Sequence, residues 1–330
     1  MTLDKFAAGP NECIRKSPRK RLRRAVWWLP LGLLWLGFTA LFALSLIPYF
    51  GTFDWKLDLL SNFRMQYALA AVCGLLAAGL LRQRILAACF ILGLLINLSE
   101  ILRWPDTVTA AKEERVFKVI AFNLYSGNES LEAVLDWVQA QEPDIFIAIE
   151  YNSILARQLH ALTDELGYER TFRFDHSTAI FSRLPLQVRA NEPARGLVAV
   201  EIADPETRQN FLLTGIHLIS PRQPRFWEHR NRQLEDLAQA CASSDKPLLV
   251  MGDLNCSPYS PFFKKFVDAS GLQPARGTWL PLVTWTRYSP LLFSSIDHVF
   301  ISEGITTVRQ ATGPSLGSDH WPIVYEFVLR

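Results

Sequence analysis

The chain of 330 residues has only five cysteines, and none stand in the paired spacings of a zinc site. Five scattered thiols exclude a disulfide framework, and only Cys241 and Cys256 fall in the polar C-terminal part, where their pairing is left open by the sequence. Internal repeats and low-complexity tracts are absent, so nothing points to a solenoid or a disordered tail. Charge is missing from three stretches. No Asp, Glu, Lys or Arg occurs from Ala25 to Phe53, from Met65 to Leu81, or from Ile85 to Ser99. A helix crosses a bilayer with about 20 apolar residues, within a range of about 17–25. The first run exceeds that length, the second stands at its lower limit, and the third reaches it with its flanks, Glu100 to Leu102. The hydrophobic core of a signal peptide is about 7–15 residues, and no small-x-small cleavage site follows the first run, so it reads as a retained anchor. Three spans over residues 25–102 are expected, the alternative for the last two being a re-entrant or interfacial hairpin.

What is present is basic charge in revealing places. Arg15, Lys16, Arg19, Lys20, Arg21, Arg23 and Arg24 precede the first run, and Arg82 and Arg84 separate the second from the third. Lys and Arg stay on the cytoplasmic side, so residues 1–24 are expected to be a cytoplasmic tail in an inner, cytoplasmic-type membrane. Three crossings then put everything after a linker at 103–115 on the extracytoplasmic side. Residues 1–102 hold 12 Lys/Arg and 5 Asp/Glu, which leaves 22 and 27 for residues 103–330. A basic anchor is thus joined to an acidic domain. Affinity for a nucleic acid duplex rests on Lys and Arg neutralising phosphates, which ranks polynucleotides below other phosphate esters as partners.

From Val116 the pattern mixes buried strands (116–123, 144–150, 168–174, 178–182, 197–202, 209–218, 247–255, 294–302, 321–329) with helices near 129–141, 153–166, 225–241 and 260–268. Successive strands without intervening helices do not suit a purely alternating βαβ design, and two packed mixed sheets with outer helices suit it better. Polar residues close the apolar runs: Asn123, Glu150, His217, Asp253 with Asn255, Asp297, and then Ser318-Asp319-His320 before the last strand. One such residue usually caps a helix or closes a turn; so many in a single domain imply a common polar rim. Their chemistry suits phosphoester hydrolysis. A hard cation such as Mg²⁺ or Mn²⁺ wants oxygen ligands, which Glu150 and Asp319 offer. Asp253 is a candidate base for an attacking water. Asn123 and Asn255 can donate to phosphate oxygens, and His320 held by Asp297, with His217, can stabilise developing charge.

The segments AFNLY, IAIE, GIHL, MGDLN, SIDHVF and GSDHWPI resemble, in order, the motifs of the endonuclease/exonuclease/phosphatase superfamily, over roughly residues 116–330. That superfamily includes DNase I-like nucleases, abasic-site endonucleases, inositol polyphosphate 5-phosphatases and neutral sphingomyelinases. The resemblance implies an α/β fold, a four-layer α/β/β/α sandwich. It further implies Asn123 and Glu150 at a metal with Asp319 near it. Asp253 and Asn255 would serve nucleophile and phosphate, His320 held by Asp297 would be the catalytic histidine, and His217 would contact the phosphate. Thr284-Trp285 looks like a structural family feature. Many members carry a second Asn or Asp two residues after the first motif's Asn; here Tyr125 stands there and cannot replace a carboxylate at a second metal. The combination of basic tail, three spans and this domain is similar to the bacterial membrane branch of VanJ-type and YafD-like proteins, which implies a lipid-linked phosphate substrate. The expected function is a membrane-anchored, metal-dependent phosphatase or phosphodiesterase; a tethered nuclease and a non-catalytic scaffold are the alternatives. Arg222, Arg225, Arg230 and Arg232 read as a solvated helix face or as phosphate forks. His176 is a candidate substrate contact.

Overall fold

A computed structural model describes residues 18–103, 115–150, 159, 168–173, 178–189, 197–277, 280–286 and 291–330. The expected helix at 153–166 and His176 lie outside the described residues, apart from Leu159.

The N-terminal part is helical. Helix α1 (Pro18–Leu46) runs into a 3₁₀ turn (Ile47–Phe50); a short α2 (Trp55–Leu59) and a second 3₁₀ turn (Leu60–Phe63) then lead into α3 (Arg64–Leu80), and α4 (Arg84–Ile101) follows. Among the described residues, three stretches are long and apolar enough to cross a membrane: Trp28–Phe50, Trp55–Leu80 and Arg84–Ile101. Apolar packing between helices has no solvent-driven advantage inside lipid, so small residues and polar bridges carry the association. Both devices are present. A Cβ on Gly74 would lie 2.3 Å from the ring of Phe90, so α3 and α4 close on each other only because that Cβ is missing. Arg64 Nη1 donates to the carbonyl of Ser45 at 2.7 Å, and Asn97 Nδ2 donates to Ser45 Oγ at 2.8 Å, tying all three long helices at one buried node.

The remaining strands form two six-stranded sheets. The first has the order β13 (Ile305–Thr312), β14 (Ile323–Leu329), β1 (Phe117–Asn123), β2 (Ile145–Ile149), β4 (Thr178–Ser182), β3 (Glu169–Arg173). The second runs β5 (Leu186–Val188), β6 (Leu197–Ala203), β7 (Asn210–His217), β8 (Leu248–Asp253), β12 (Asp297–Ile301), β9 (Gln273–Pro274). A short hairpin of β10 (Trp285–Thr286) and β11 (Phe293–Ser294) stands apart. Among the described residues only β1–β2 and β7–β8 are parallel and every other ladder is antiparallel, so both sheets are mixed as expected. β13 pairs with β14 across a register shift at Thr307/Arg309. The sequence reading missed it because this edge strand, ITTVRQAT, is mostly polar and half exposed.

The sheets face each other across a core of Val119, Ile147, Ile180, Val200, Leu213, Met251, Val299 and Tyr325. Strands such as β1 and β2 are covered on both faces, which is why they read as unbroken apolar runs. Helix α5 (Leu131–Gln141) covers the first sheet through Leu131, Val134 and Val138. Helices α6 (Pro224–Ala242) and α7 (Pro261–Ser270) cover the second through Leu234, Leu237, Phe263 and Phe266. The result is the expected four-layer α/β/β/α sandwich behind a helical, membrane-type segment. Cys241 and Cys256 are both buried, and among the described residues neither is in a disulfide.

Candidate active site

Strand register assembles the rim. In the second sheet Asp253 sits opposite His217 on one side and Asp297 on the other, so three adjacent strands end in one row of polar side chains. In the first sheet Asn123 pairs with Ile149, which puts Glu150 one residue beyond it. The two rows meet because β1 and β2 pack over β8. Asn123 Nδ2 donates to Glu150 Oε1 and to Asp253 Oδ2, both at 3.1 Å, bridging the sheets.

The backbone there is unusual. Tyr125, Glu150 and Asn255 have φ of 57°, 56° and 48°, in the left-handed region that costs L residues energy. Gly252 sits at φ 140°, and a Cβ on it would lie 2.3 Å from the carbonyl oxygen of Ile216. Only glycine lets β8 approach β7 that closely one residue before Asp253.

Two clusters result. Glu150, His217 and Asp253 form the first, with Glu150 Oε1 3.3 Å from His217 Nε2. Asp253, Asp297 and His320 form the second: His320 Nδ1 lies 2.8 Å from Asp297 Oδ2, and Nε2 lies 3.9 Å from Asp253 Oδ2. Asp253 is shared. Thr284 Oγ1 accepts from the backbone N–H groups of Ile296 and Asp297, fixing where β12 begins. Ser318 Oγ donates to the carbonyl of Asn123 and accepts from the His320 N–H, locking the Ser318-Asp319-His320 turn onto β1. Asp319 lies outside both clusters; it lines the same cleft, and its Oδ2 accepts from Trp285 Nε1 at 3.2 Å. Asn255 also lines the cleft, with its amide donating to the Leu218 carbonyl and to Asp253 Oδ2. His298, the histidine of SIDHVF, is half-buried and turned to the loop after β8, with Nε2 2.8 Å from the Cys256 carbonyl, and desolvation takes its pKa down to about 4.

The electrostatics follow from this crowding. Burial opposes the Glu150 charge, but the His217 and Asn123 hydrogen bonds and the His217 charge outweigh it and take the carboxyl down to about 2. Asp253 goes the other way, raised by its complete burial and by Asp297 beside it. Burial depresses His320, yet the neighbouring Asp297 and Asp253 carboxylates prevail and carry it up to about 9. A rim with this many carboxylates and an Asp253 that resists ionisation is short of positive charge. Carboxylate and amide oxygens are also the ligands a hard divalent cation prefers, so the donor set fits one.

Glu150, Asp253, Asn255, Asp319 and His320 border an open cleft of about 610 Å³, within the usual size of a small-molecule site. Among the lining residues that the sequence did not single out are Leu59 and Asn62 from the turn between the first two long helices, and Gln223 and Phe226 at the start of α6. The arginines divide. Arg222 lines the cleft, Arg232 faces solvent beside Glu228, and Arg230 is buried against Asp58, which corrects the solvated-face reading for that residue.

A two-sheet sandwich whose strand ends gather carboxylates, amides and a carboxylate-held histidine defines a class of phosphoester-cleaving hydrolases. The chain belongs to the endonuclease/exonuclease/phosphatase family, whose model matches residues 120–320; members of that family generally depend on a divalent metal. Among solved structures, the catalytic domain of human Nocturnin is similar at 18% identity, with a TM-score of 0.55 over 67% of this chain and 97% of that one. D. rerio TDP2 complexed with a single-strand DNA product gives 15% identity and a TM-score of 0.53 over 65% and 99%. An AP endonuclease from Archaeoglobus fulgidus gives 17% and 0.51 over 64% and 99%. No curated protein matches the chain significantly.

Proposed function

We propose that this protein is a membrane-anchored, divalent-metal-dependent phosphoesterase acting on a lipid-linked or small phosphate ester on the extracytoplasmic side. The observation that carries the reading is the shared Asp253, which joins the Glu150–His217 cluster to the His320–Asp297 pair at one edge of the cleft. Glu150 and Asn123, with Asp319 nearby, are the residues to hold Mg²⁺ or Mn²⁺, which when bound polarises the phosphoryl oxygen and offsets charge on the leaving group. Asp253 lies between that group and His320, placed to accept a proton from an attacking water. His320, kept protonated by Asp297, donates to the phosphoryl group as negative charge builds on it. His217 orients Glu150 and faces the same phosphate position, and Asn255 holds Asp253 in line.

The topology rests on charge and on geometry together. The turn at residues 51–63 packs on the catalytic domain, whereas Arg82 and Arg84 lie at the other end of α3 and α4. With basic residues inside, the domain is outside. The acidic balance of residues 103–330 favours a small or lipid-borne ester over a polynucleotide. Purified full-length protein with Mg²⁺ or Mn²⁺ is expected to hydrolyse a polyprenyl diphosphate faster than plasmid DNA, and His320→Ala to abolish turnover. Rapid DNA cleavage with inert lipid phosphate makes it a tethered nuclease, the second reading, and full activity of His320→Ala rejects the site. A reporter fused to the C-terminus checks the sidedness: a cytoplasmic signal overturns the topology.

A further inference from the structure

The turn between the first two long helices does more than reverse the chain. Asp58 on α2 is buried in the catalytic domain. Its Oδ2 accepts from Arg230 Nη2 at 2.6 Å and from Trp227 Nε1 at 3.0 Å, and its Oδ1 accepts from Ser260 Oγ at 2.6 Å. Arg230 is 1% exposed and spends Nη1 on the carbonyl of Asn255 at 2.9 Å. Around this peg Ser257 Oγ reaches the Ser61 carbonyl at 3.4 Å, and Gln66 Nε2 donates to the Phe293 carbonyl at 2.7 Å. A plain tether has no need of a fully desolvated ion pair, whose dehydration cost is large and is offset only by close, fully hydrogen-bonded geometry. Here that geometry is built, and it grips the polypeptide at Asn255, Ser257 and Ser260. It also carries Leu59 and Asn62 into the lining of the cleft that Phe226, Glu150, Asp253 and His320 border.

We infer that this turn is a working part of the active site. Leu59 and Asn62 contact the non-phosphate portion of the substrate, and Asp58, acting through Arg230, is a positioning residue for Asn255. The inference rests on the phosphoesterase reading and narrows it to a substrate class. The wall belongs to a segment that enters a membrane-type helix a few residues later, at Arg64. Beside it the apolar side chains of Phe53, Leu291 and Leu292 stand exposed. A cleft walled from that level accepts a phosphate ester whose hydrocarbon part is seated in the bilayer while its phosphate reaches the rim.

The test uses full-length protein in detergent micelles with Mg²⁺. The substrates are a polyprenyl diphosphate and the water-soluble ester bis(4-nitrophenyl) phosphate. Losing one buried apolar or hydrogen-bonded contact corresponds to roughly tenfold in affinity. Leu59→Ala and Asn62→Ala are therefore expected to raise KM for the diphosphate about five- to tenfold, leaving kcat and the small ester within about twofold. Asp58→Asn is expected instead to lower kcat on both substrates about tenfold at unchanged KM. Because Asp58→Asn removes a buried charge and can unfold the protein, the decisive variants are the two cleft ones. Parental KM in both, in a protein that His320→Ala inactivates, reduces the turn to a tether and overturns the inference. A parent that cleaves the small ester but not the diphosphate overturns the lipid class while the phosphoesterase reading stands. A parent inert on both with metal present rejects that reading itself.

Discussion

Asp297→Asn separates the electrostatic role of the Asp297–His320 pair from its geometric one. Asparagine keeps the shape and still accepts from Nδ1, so the 2.8 Å contact survives while the charge is lost. Burial alone pulls His320 down, and the carboxylates carry it up to about 9. Without Asp297 the imidazole is expected to fall to its ordinary value near 6.5 or below, a loss of roughly 3 kcal/mol of preference for the charged form. If the protonated ring is the active form, about nine-tenths of the parent and only about 3% of the variant carry it at pH 8. The protonation-dependent defect in kcat/KM is then roughly 30-fold at pH 8 and under about twofold at pH 6. The assay is a pH–rate profile of both proteins with saturating Mg²⁺, paired with NMR titration of ¹³C-labelled histidine under chelator, where the charge balance is that of the structure. Stability offers an independent reading. A folded-state pKa raised above the unfolded value contributes stability in full below about pH 6.5, and that contribution is lost as pH rises through about 9. The parent is expected to lose up to roughly 3 kcal/mol from this group across that window, and the variant not to. A defect of equal size at pH 6 and pH 8, with the histidine resonance unmoved, would refute the reasoning.

Other expectations follow from the same geometry. Glu150 is held at about 2, so it stays ionised at any working pH, and its charge is lost only as pH falls from the ordinary carboxylate range through about 2. Glu150→Gln should weaken Mn²⁺ binding by at least about tenfold in calorimetry; parental affinity removes Glu150 from the metal site. Gly252→Ala forces a Cβ to within 2.3 Å of the Ile216 carbonyl oxygen at a positive φ, which should cost more than about 3 kcal/mol, read as a lowered unfolding midpoint. An unchanged midpoint shows that β7 and β8 can part without penalty. Chelation should silence the parent, and Mg²⁺ or Mn²⁺ should restore it in a direct activity assay.

The strand ends were legible because each buried strand is an apolar run that stops at one polar residue; Asn123, Glu150, His217 and Asp253 declare themselves in this way, whereas Asp297 opens its strand instead of closing one and reaches the rim because β12 runs antiparallel to β8. Their register was not legible. Nothing local says that Asp297 falls opposite Asp253, since that alignment is settled by the packing of whole sheets. The sequence also hid the anchor's share of the cleft. Asp58 and Arg230 are 172 positions apart, and each alone looks like an ordinary surface charge, one in a loop and one on an amphipathic helix. Only the tertiary fold shows that they neutralise each other in the dark. β13 was missed because an edge strand open to water carries little apolar pattern.

The pairing of β1 with β14 has a consequence in time. Phe117 lies opposite Phe327, so the first strand of the catalytic domain hydrogen-bonds to its last. Long-range pairings of this kind form late, because the entropy of closing the intervening chain must be overcome first. His320 stands just ahead of β14 and reaches Asp297 only once that strand is docked. A ribosome still making this protein therefore carries a domain with its histidine missing. The apolar helical segment can be complete before any ester can be cut, and chemistry begins only when the chain has closed on itself.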